Sequence, residues 1–145
     1  MQQVKIWFRL NPDEDGYPPF SSESVWASEV QIGRYELENI PFCARTAALG
    51  DIVSADDVDG ILWFRAVEVA SDNSVIRVFV QSGRDKLVDA LTQRAVRVEI
   101  ANDRLIALSV PPKMLGPVRA MLRIFRDQDI LGFEEAIIRG PTNPE

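Results

Sequence analysis

The first half of the chain has the residue pattern of short strands separated by turns. In residues 4–10 every second position is apolar, which is the pattern of a half-buried β-strand. Further strands are predicted at 24–30, 35–37, 51–55 and 61–69, with loops or turns at 11–19 and 56–60. Residues 40–45 have no clear period and allow one short helical turn. Short strands separated by turns predict a small, strongly bent sheet or barrel.

The second half of the chain alternates between strand and helix patterns. Helical spacing of apolar residues predicts one helix that begins near Ser82 or Gly83, and a longer one through Met114–Phe125 with Pro117 in its first turn. Strands are predicted at 74–81, 95–100, 105–110 and 131–139, and residues 140–145 are expected to form a frayed tail.

This order of elements, β-α-β-β-α-β, is the ferredoxin-like arrangement, in which two helices cover one face of a four-stranded antiparallel sheet. The sequence therefore predicts an α+β fold with a β-rich, barrel-like half at 1–72 and a ferredoxin-like half at 73–145. The boundary at residues 71–73 is short and polar, so we expect the two halves to pack on each other.

Composition narrows the class of protein. The chain has 145 residues, of which 46% are hydrophobic and 26% charged, as in a globular protein. No apolar run is long enough to span a membrane, and the N-terminus lacks the pattern of a secretory signal. Cys43 is the only cysteine, so no internal disulfide can form. Together these features predict a cytoplasmic protein.

The chain contains no histidine, which excludes histidine general bases, Ser-His or Cys-His nucleophile pairs and histidine metal ligands. Without a base beside it, Cys43 is expected to be an inert thiol. We therefore expect no enzyme activity, no cofactor and no bound metal. An enzyme built on two carboxylates stays open, because a sequence does not show which acids share a cleft.

Charge is distributed unevenly along the chain, whose net charge is −6. Residues 1–72 contain 5 basic and 13 acidic residues (net −8), whereas residues 73–145 contain 11 basic and 9 acidic residues (net +2). Nucleic acid is not an expected partner, because binding to phosphates needs dense positive charge. The predicted central strands of the ferredoxin-like half also offer only Phe79 as an aromatic platform for RNA bases.

The acidic residues form two dense clusters in the first half. We interpret them as a docking surface for a basic partner protein, with solvated turns as the simpler alternative and a metal site as a weaker one. Neither cluster has the spacing of an EF-hand loop. The predicted partner-binding residues are Asp13, Glu14, Asp15, Asp56, Asp57 and Asp59.

Arginines on the second predicted helix are spaced so that they share one helix face. Arg119, Arg123 and Arg126 could bind a phosphate or a carboxylate, or could simply form the solvated side of an amphipathic helix.

Aromatic residues are concentrated in the first half. Trp7 and Trp63 fall on the opposite side of their strands from Phe8 and Phe64, so these strands carry aromatic residues on both faces. We expect internal packing to cover the tryptophans, with burial by a partner as the alternative.

Several segments resemble a known family. They are Val4-Lys5-Ile6-Trp7-Phe8-Arg9, Gly16-Tyr17-Pro18-Pro19, Glu23-Ser24-Val25-Trp26-Ala27, Asn39-Ile40-Pro41-Phe42 and Leu49-Gly50-Asp51. Together they resemble the bacterial domain-of-unknown-function family numbered 4265 over nearly the whole chain. The resemblance implies a bacterial, intracellular protein and assigns no catalytic residue.

The leading functional hypothesis is a noncatalytic cytoplasmic binding protein, of the immunity or antitoxin type, that docks a basic protein through its acidic surface. The alternative is a sensing or regulatory domain that binds a small anion through the arginines, with a homodimer as a further possibility.

Overall fold

A computed structural model describes residues 2–140, and the predicted tail beyond Gly140 lies outside these residues. The chain divides into two compact units, the first ending at Ser71 and the second beginning at Asp72. The predicted mixed α+β class is confirmed, with a five-stranded sheet, a four-stranded sheet and two helices.

The first unit is a closed five-stranded barrel with its strands in chain order. Consecutive strands are antiparallel, and the first and last strands pair in parallel to close the barrel. The strands are β1 (Gln3–Arg9), β2 (Ser22–Gln31), β3 (Arg34–Leu37), β4 (Ile52–Val58) and β5 (Ile61–Val69).

The hairpin between β4 and β5 differs from the prediction. Residues 56–60 were expected to form a turn, but β4 continues to Val58. The turn consists of Asp59 and Gly60 alone, with φ of 53° and 87°. Two left-handed residues in an Asp-Gly pair match the right-handed twist of the adjoining strands, so a two-residue turn is enough. Asp56 and Asp57 are therefore strand residues.

The barrel core comes from the inward-facing positions of its strands. Ile6 and Phe8 of β1 are buried, and Phe8 stacks on the ring of Phe64 at a centroid distance of 4.8 Å. Val25 and Ala27 of β2 pack in the same cluster. The alternation seen in the sequence thus places one face of each strand in the core.

Residues 40–45 contain no helical turn, contrary to expectation. The carboxylate of Glu23 accepts hydrogen bonds from the backbone N–H groups of Phe42, Cys43 and Ala44, at 2.9, 2.7 and 2.6 Å. These three N–H groups therefore bond to a side chain on β2. In a helical turn they would instead bond to backbone carbonyls of their own segment.

The second unit has the predicted order of elements. They are β6 (Ser74–Val80), α1 (Arg84–Thr92), β7 (Arg97–Ile100), β8 (Leu105–Val110), α2 (Pro112–Asp127) and β9 (Leu131–Ile137). The four strands form an antiparallel sheet in the order β7-β8-β6-β9. Buried residues of both helices pack with one face of this sheet.

Two boundaries in this unit differ from the sequence prediction. Strand β7 begins at Arg97 rather than at residue 95, because Ala95 has a φ of 60° and the N–H of Val96 bonds back to Leu91 at the end of α1. Helix α2 begins at Pro112, which places Pro117 beyond the first turn. Proline at the first helical position has a favourable φ and lacks an N–H that would need a partner, so the helix begins earlier than expected.

Candidate binding surface

All three tryptophans of the chain lie on the outside of the barrel. Trp7 lies between the buried Ile6 and Phe8 on β1, and Trp26 lies between the buried Val25 and Ala27 on β2. Since neighbouring side chains of a strand point to opposite faces, both indoles point away from the core. Trp26 is 45% exposed.

The strand register brings these residues together with two cations. Trp7 pairs with Trp63 of β5, and Lys5 pairs with Trp26. The rings of Trp7 and Trp63 are tilted by 53° with centroids 6.4 Å apart. We call the surface formed by Lys5, Trp7, Arg9, Trp26 and Trp63 the tryptophan face.

Both cations of the tryptophan face contact an indole. The guanidinium carbon of Arg9 lies 3.8 Å from the ring centroid of Trp63, and the ammonium nitrogen of Lys5 lies 5.1 Å from that of Trp26. A cation over an indole is attracted by the negative face of the ring, which contributes about 0.5–1 kcal/mol at an exposed site. The contacts hold the two long side chains against the barrel surface.

Lys5 and Arg9 also differ from other basic residues of the barrel in their charge environment. Arg34 pairs with Glu68 at 3.6 Å and Arg65 pairs with Asp56 at 3.8 Å. Within residues 2–140, no carboxylate lies within ion-pair distance of Lys5 or Arg9. The tryptophan face thus combines aromatic surface with two positive charges that no acidic side chain of the described chain neutralises.

The first acidic cluster lies in the loop between β1 and β2 and shapes that loop. The carboxylate of Asp13 accepts hydrogen bonds from the N–H groups of Asp15 and Tyr17, at 2.9 and 3.0 Å. Glu14 and Asp15 are exposed. This cluster begins after Leu10, whose N–H closes the loop on the carbonyl of Ser21.

The second acidic cluster lies at the β4–β5 hairpin. Asp56 pairs with Arg65, and the carboxylate of Asp57 accepts the N–H of Gly60 at 2.8 Å. Asp56 is also the strand partner of Trp63, so this cluster borders the tryptophan face.

The structure does not join the two acidic clusters into one surface. Asp57 and Ile6 both pair with Leu62, so the hairpin is level with the N-terminal part of β1. The other cluster follows the C-terminal end of β1. The distance along the chain from Ile6 to Leu10 is by itself about 13 Å, at about 3.3 Å per strand residue. The two acidic clusters are therefore at different ends of β1.

The three arginines of α2 have different surroundings. Arg119 forms a two-point ion pair with Glu135 of β9, at 2.5 and 3.2 Å. Arg126 lies 5.4 Å from the ring centroid of Phe133 and 3.7 Å from Asp127. Arg123 is exposed. They share a helix face as predicted, but the charge of Arg119 is already matched by a carboxylate.

Arg77 is a buried charged residue that the sequence analysis did not single out. It lies in the middle of β6 at 2% exposure, and its guanidinium is 3.4 Å from Glu134 of β9. On the side of β6 away from β9, Arg77 pairs with Ala107 of β8. Ala107 in turn pairs with Glu99 of β7. The signal in the sequence was one arginine within an otherwise apolar strand.

Two carboxylates in the barrel unit hold loops in place. Besides Glu23, the buried Asp51 accepts the N–H groups of Ala48 and Ser71, at 2.9 and 2.8 Å. Among residues 2–140, no group of three or more Cys, Asp or Glu side chains is arranged to hold a metal ion. In the described residues, Glu23 and Asp51 thus accept hydrogen bonds from backbone N–H groups of neighbouring loops.

One titratable side chain in the barrel has a shifted pKa. Burial, followed by the negative charges of Glu29 and Asp57, raises the pKa of Tyr35 above its ordinary value of 10.0. Tyr35 is 9% exposed and packs in the barrel core. The neutral phenol is therefore the form that the folded barrel favours.

The tryptophans are visible in the sequence, but the surface that they form together is not. The alternation in β1 was visible, and it already placed Lys5, Trp7 and Arg9 on one side of the strand. Trp26 and Trp63 joined them only through the register of two further strands, which no local pattern specifies. The expectation that internal packing covers the tryptophans does not hold for Trp26, which is 45% exposed.

Comparison with known proteins gives a family and a fold. A family described as "Domain of unknown function (DUF4265)" matches residues 23–133. Three of the five resembling segments lie in that range, and the two that precede Glu23 lie outside it. No curated protein matches the chain.

A solved structure, described as "Novel crystal structure of a hypothetical protein from Neisseria gonorrhoeae", is similar over 97% of this chain and 99% of its own. Its TM-score is 0.82 and its sequence identity is 22%, which supports a shared fold. In residues 2–140, no helix has both the length and the apolar character needed to cross a membrane.

Proposed function

Since the chain belongs to the DUF4265 family of domains of unknown function, we propose its function from its own surface: it is a noncatalytic binding protein that docks a partner protein on the tryptophan face. The observation that carries this proposal is the gathering of all three tryptophans and two unpaired cations on one side of a small barrel.

The chemistry of this surface is that of a protein interface. Tryptophan, tyrosine and arginine are the residues most enriched among those that dominate binding energy at protein interfaces. The cation–indole contacts of Lys5 and Arg9 order these side chains before a partner arrives, which lowers the entropic cost of binding.

The acidic residues have a secondary part in this proposal. Asp56 lies at the edge of the tryptophan face as the strand partner of Trp63, and rim charges affect association rate and orientation. Asp57 and Asp59 belong to the same hairpin. Asp13, Glu14 and Asp15 lie towards the other end of β1 and are left outside the docking surface. A basic partner that docks on either cluster is a separate proposal, which charge reversal at Asp13 and Asp15 or at Asp56 and Asp57 tests.

Three finer assignments accompany the proposal. The order of elements and the sheet order β7-β8-β6-β9 support a ferredoxin-like arrangement for the second unit. The single cysteine supports a cytoplasmic location, and an immunity or antitoxin role would use a docking surface of this kind.

The alternative, an anion-sensing domain built on the arginines of α2, has less support. An anion there must compete with Glu135 for Arg119. A homodimer through the second unit is a further proposal that sedimentation of the purified protein tests.

Site-specific crosslinking tests the docking proposal. A photoreactive amino acid replaces Trp26 in one protein and Ile32 in another, both expressed in the native host. Ile32 is the matched control because it is 96% exposed and lies in the β2–β3 turn, outside the tryptophan face. We expect a stoichiometric protein adduct at position 26 and none at position 32.

A second measurement in the same system removes the surface itself. Trp63→Ser should abolish the adduct at position 26 while circular dichroism shows a folded protein. An adduct that forms equally at both positions, or that survives Trp63→Ser, would contradict the proposal.

A further inference from the structure

We propose that the tryptophan face recognises an acidic segment of its partner, whose carboxylates pair with Lys5 and Arg9 on either side of Trp7. This inference rests on the proposed docking function and adds the chemistry of the partner. It differs from the sequence hypothesis, which expected a basic partner.

Lys5 and Arg9 carry positive charges that no carboxylate of residues 2–140 matches. The first 72 residues contain 13 acidic side chains against 5 basic ones, so a basic residue there has many possible partners. Arg34 and Arg65 each pair with one of them. In the described chain Lys5 and Arg9 do not, although both are exposed. Carboxylates supplied by another molecule would complete these pairs.

Arg9 is held against Trp63 in a way that leaves it able to bind a carboxylate. Its guanidinium carbon lies 3.8 Å from the ring centroid of Trp63, so the indole covers one side of the group. The N–H groups lie at the edge of the guanidinium plane and stay available. A guanidinium held in this way can donate two parallel hydrogen bonds to one carboxylate, which is a strong and directional contact.

The spacing of Lys5 and Arg9 along β1 fits an extended segment of a partner. Lys5 and Arg9 are four residues apart on β1, with Trp7 between them on the same face. Their Cα atoms are therefore about 13 Å apart, which equals the rise of four residues in any extended chain. Their charged ends are displaced to opposite sides of β1, that of Lys5 over Trp26 of β2 and that of Arg9 over Trp63 of β5. An extended segment that crosses β1 obliquely would bring two acidic residues, four positions apart, within reach of both cations. The residue midway between them would face Trp7, where an apolar or aromatic side chain fits.

Single-stranded nucleic acid is the competing occupant, because indoles stack on bases and cations bind phosphates. Charge argues against it. Its phosphates form a continuous row of negative charges, and the tryptophan face offers two cations to match them. The net charge of −6 opposes any anion, and it opposes a segment with only two carboxylates less than a row of phosphates. Two carboxylates on a partner protein need no more than these two cations.

The test uses the full chain and a peptide containing Glu-Thr-Phe-Thr-Glu, with titration followed by tryptophan fluorescence and calorimetry. The comparison ligands are the same peptide with Lys in place of Glu, and an oligothymidylate. We expect the acidic peptide to bind at least about tenfold more tightly than the lysine peptide, whose positive charges repel those of Lys5 and Arg9. The oligothymidylate should also bind more weakly than the acidic peptide, because it carries more negative charge than two cations can match.

Charge reversal supplies the decisive variant. Lys5→Glu with Arg9→Glu should lower the affinity for the acidic peptide at least about tenfold and raise that for the lysine peptide. The matched control is Arg34→Glu with Arg104→Glu, which changes the net charge equally outside the tryptophan face and should leave the peptide affinity unchanged. Circular dichroism checks that each variant is folded.

The possible failures are distinguishable. No binding of the acidic peptide at millimolar concentration, equal binding of the lysine peptide, or tighter binding of the oligothymidylate would each overturn the acidic-partner inference. So would a crosslinked adduct at position 26 that survives the Lys5 and Arg9 reversals. In that last case, loss of the adduct in Trp63→Ser would still support docking on the tryptophan face.

Discussion

Trp7 and Trp63 are direct neighbours across the parallel contact of β1 and β5 that closes the barrel, with ring centroids 6.4 Å apart. The next residues along the same strands, Phe8 and Phe64, stack inside the barrel at 4.8 Å. One strand pair therefore carries one aromatic contact outside and another inside. Because adjacent residues have these different positions, they provide a matched test of which side is core and which is surface.

Phe8→Ala should lower the free energy of unfolding by about 3–5 kcal/mol, since it empties a fully buried site. Trp7→Ala should cost no more than about 2 kcal/mol, because the indole is partly exposed. Urea unfolding followed by circular dichroism measures both. Equal losses would mean that Trp7 belongs to the barrel core and is not available as a docking surface.

Asp51→Ala should destabilise the protein by about 2–4 kcal/mol. The substitution leaves the N–H groups of the buried Ala48 and the partly buried Ser71 without their carboxylate acceptor. Asp15→Ala, at an exposed position, is the control and should change stability by less than about 0.5 kcal/mol. A free energy of unfolding for Asp51→Ala equal to that of the control would disprove the structural role of this carboxylate.

Glu23→Ala should loosen residues 42–44, whose three N–H groups it holds. We expect these amides to exchange faster with deuterium and Cys43 to react several times faster with a thiol reagent, because local opening exposes both. The control is Glu36→Ala on the exposed side of β3. Unchanged exchange and labelling in the Glu23 variant would show that the loop is held by other contacts.

Stability should fall at alkaline pH through Tyr35. Burial, with Glu29 and Asp57, raises the pKa of this phenol in the folded state above 10.0, so the unfolded chain loses its proton first. The contribution of Tyr35 is complete below pH 10.0 and is lost as pH rises through the higher pKa of the folded state. Chemical unfolding across this range should give a flatter profile for Tyr35→Phe, and an identical slope would exclude Tyr35 as the cause.

Arg119→Ala should lower the free energy of unfolding by no more than about 1 kcal/mol, because the pair with Glu135 is partly exposed to water. The loss should shrink further in high salt, and Arg123→Ala should have no measurable effect. Thermal melts with and without phosphate also test the anion-sensing alternative. A phosphate-induced rise in Tm that disappears in Arg123→Ala would favour sensing by α2.

Much of the secondary structure follows from local patterns in the sequence. In residues 4–10 every second position is aliphatic or phenylalanine, and the order of strands and helices from Ser74 onward is readable from the change between periods of two and about 3.6. Boundaries were less predictable. The extension of β4 to Val58 depended on a two-residue turn at Asp59 and Gly60, and β7 started late because α1 kept Val96 hydrogen-bonded.

In the regular strand β1 the sequence by itself determined which residues face the same way, because the two-residue period is a property of the extended backbone. It therefore placed Trp7 with Lys5 and Arg9, and separated Trp7 from Phe8. It did not determine which strands are neighbours. Only the tertiary structure, through the parallel closure of β1 on β5 and the register of β2, brought Trp26 and Trp63 to the same surface, since register depends on contacts between residues distant in sequence.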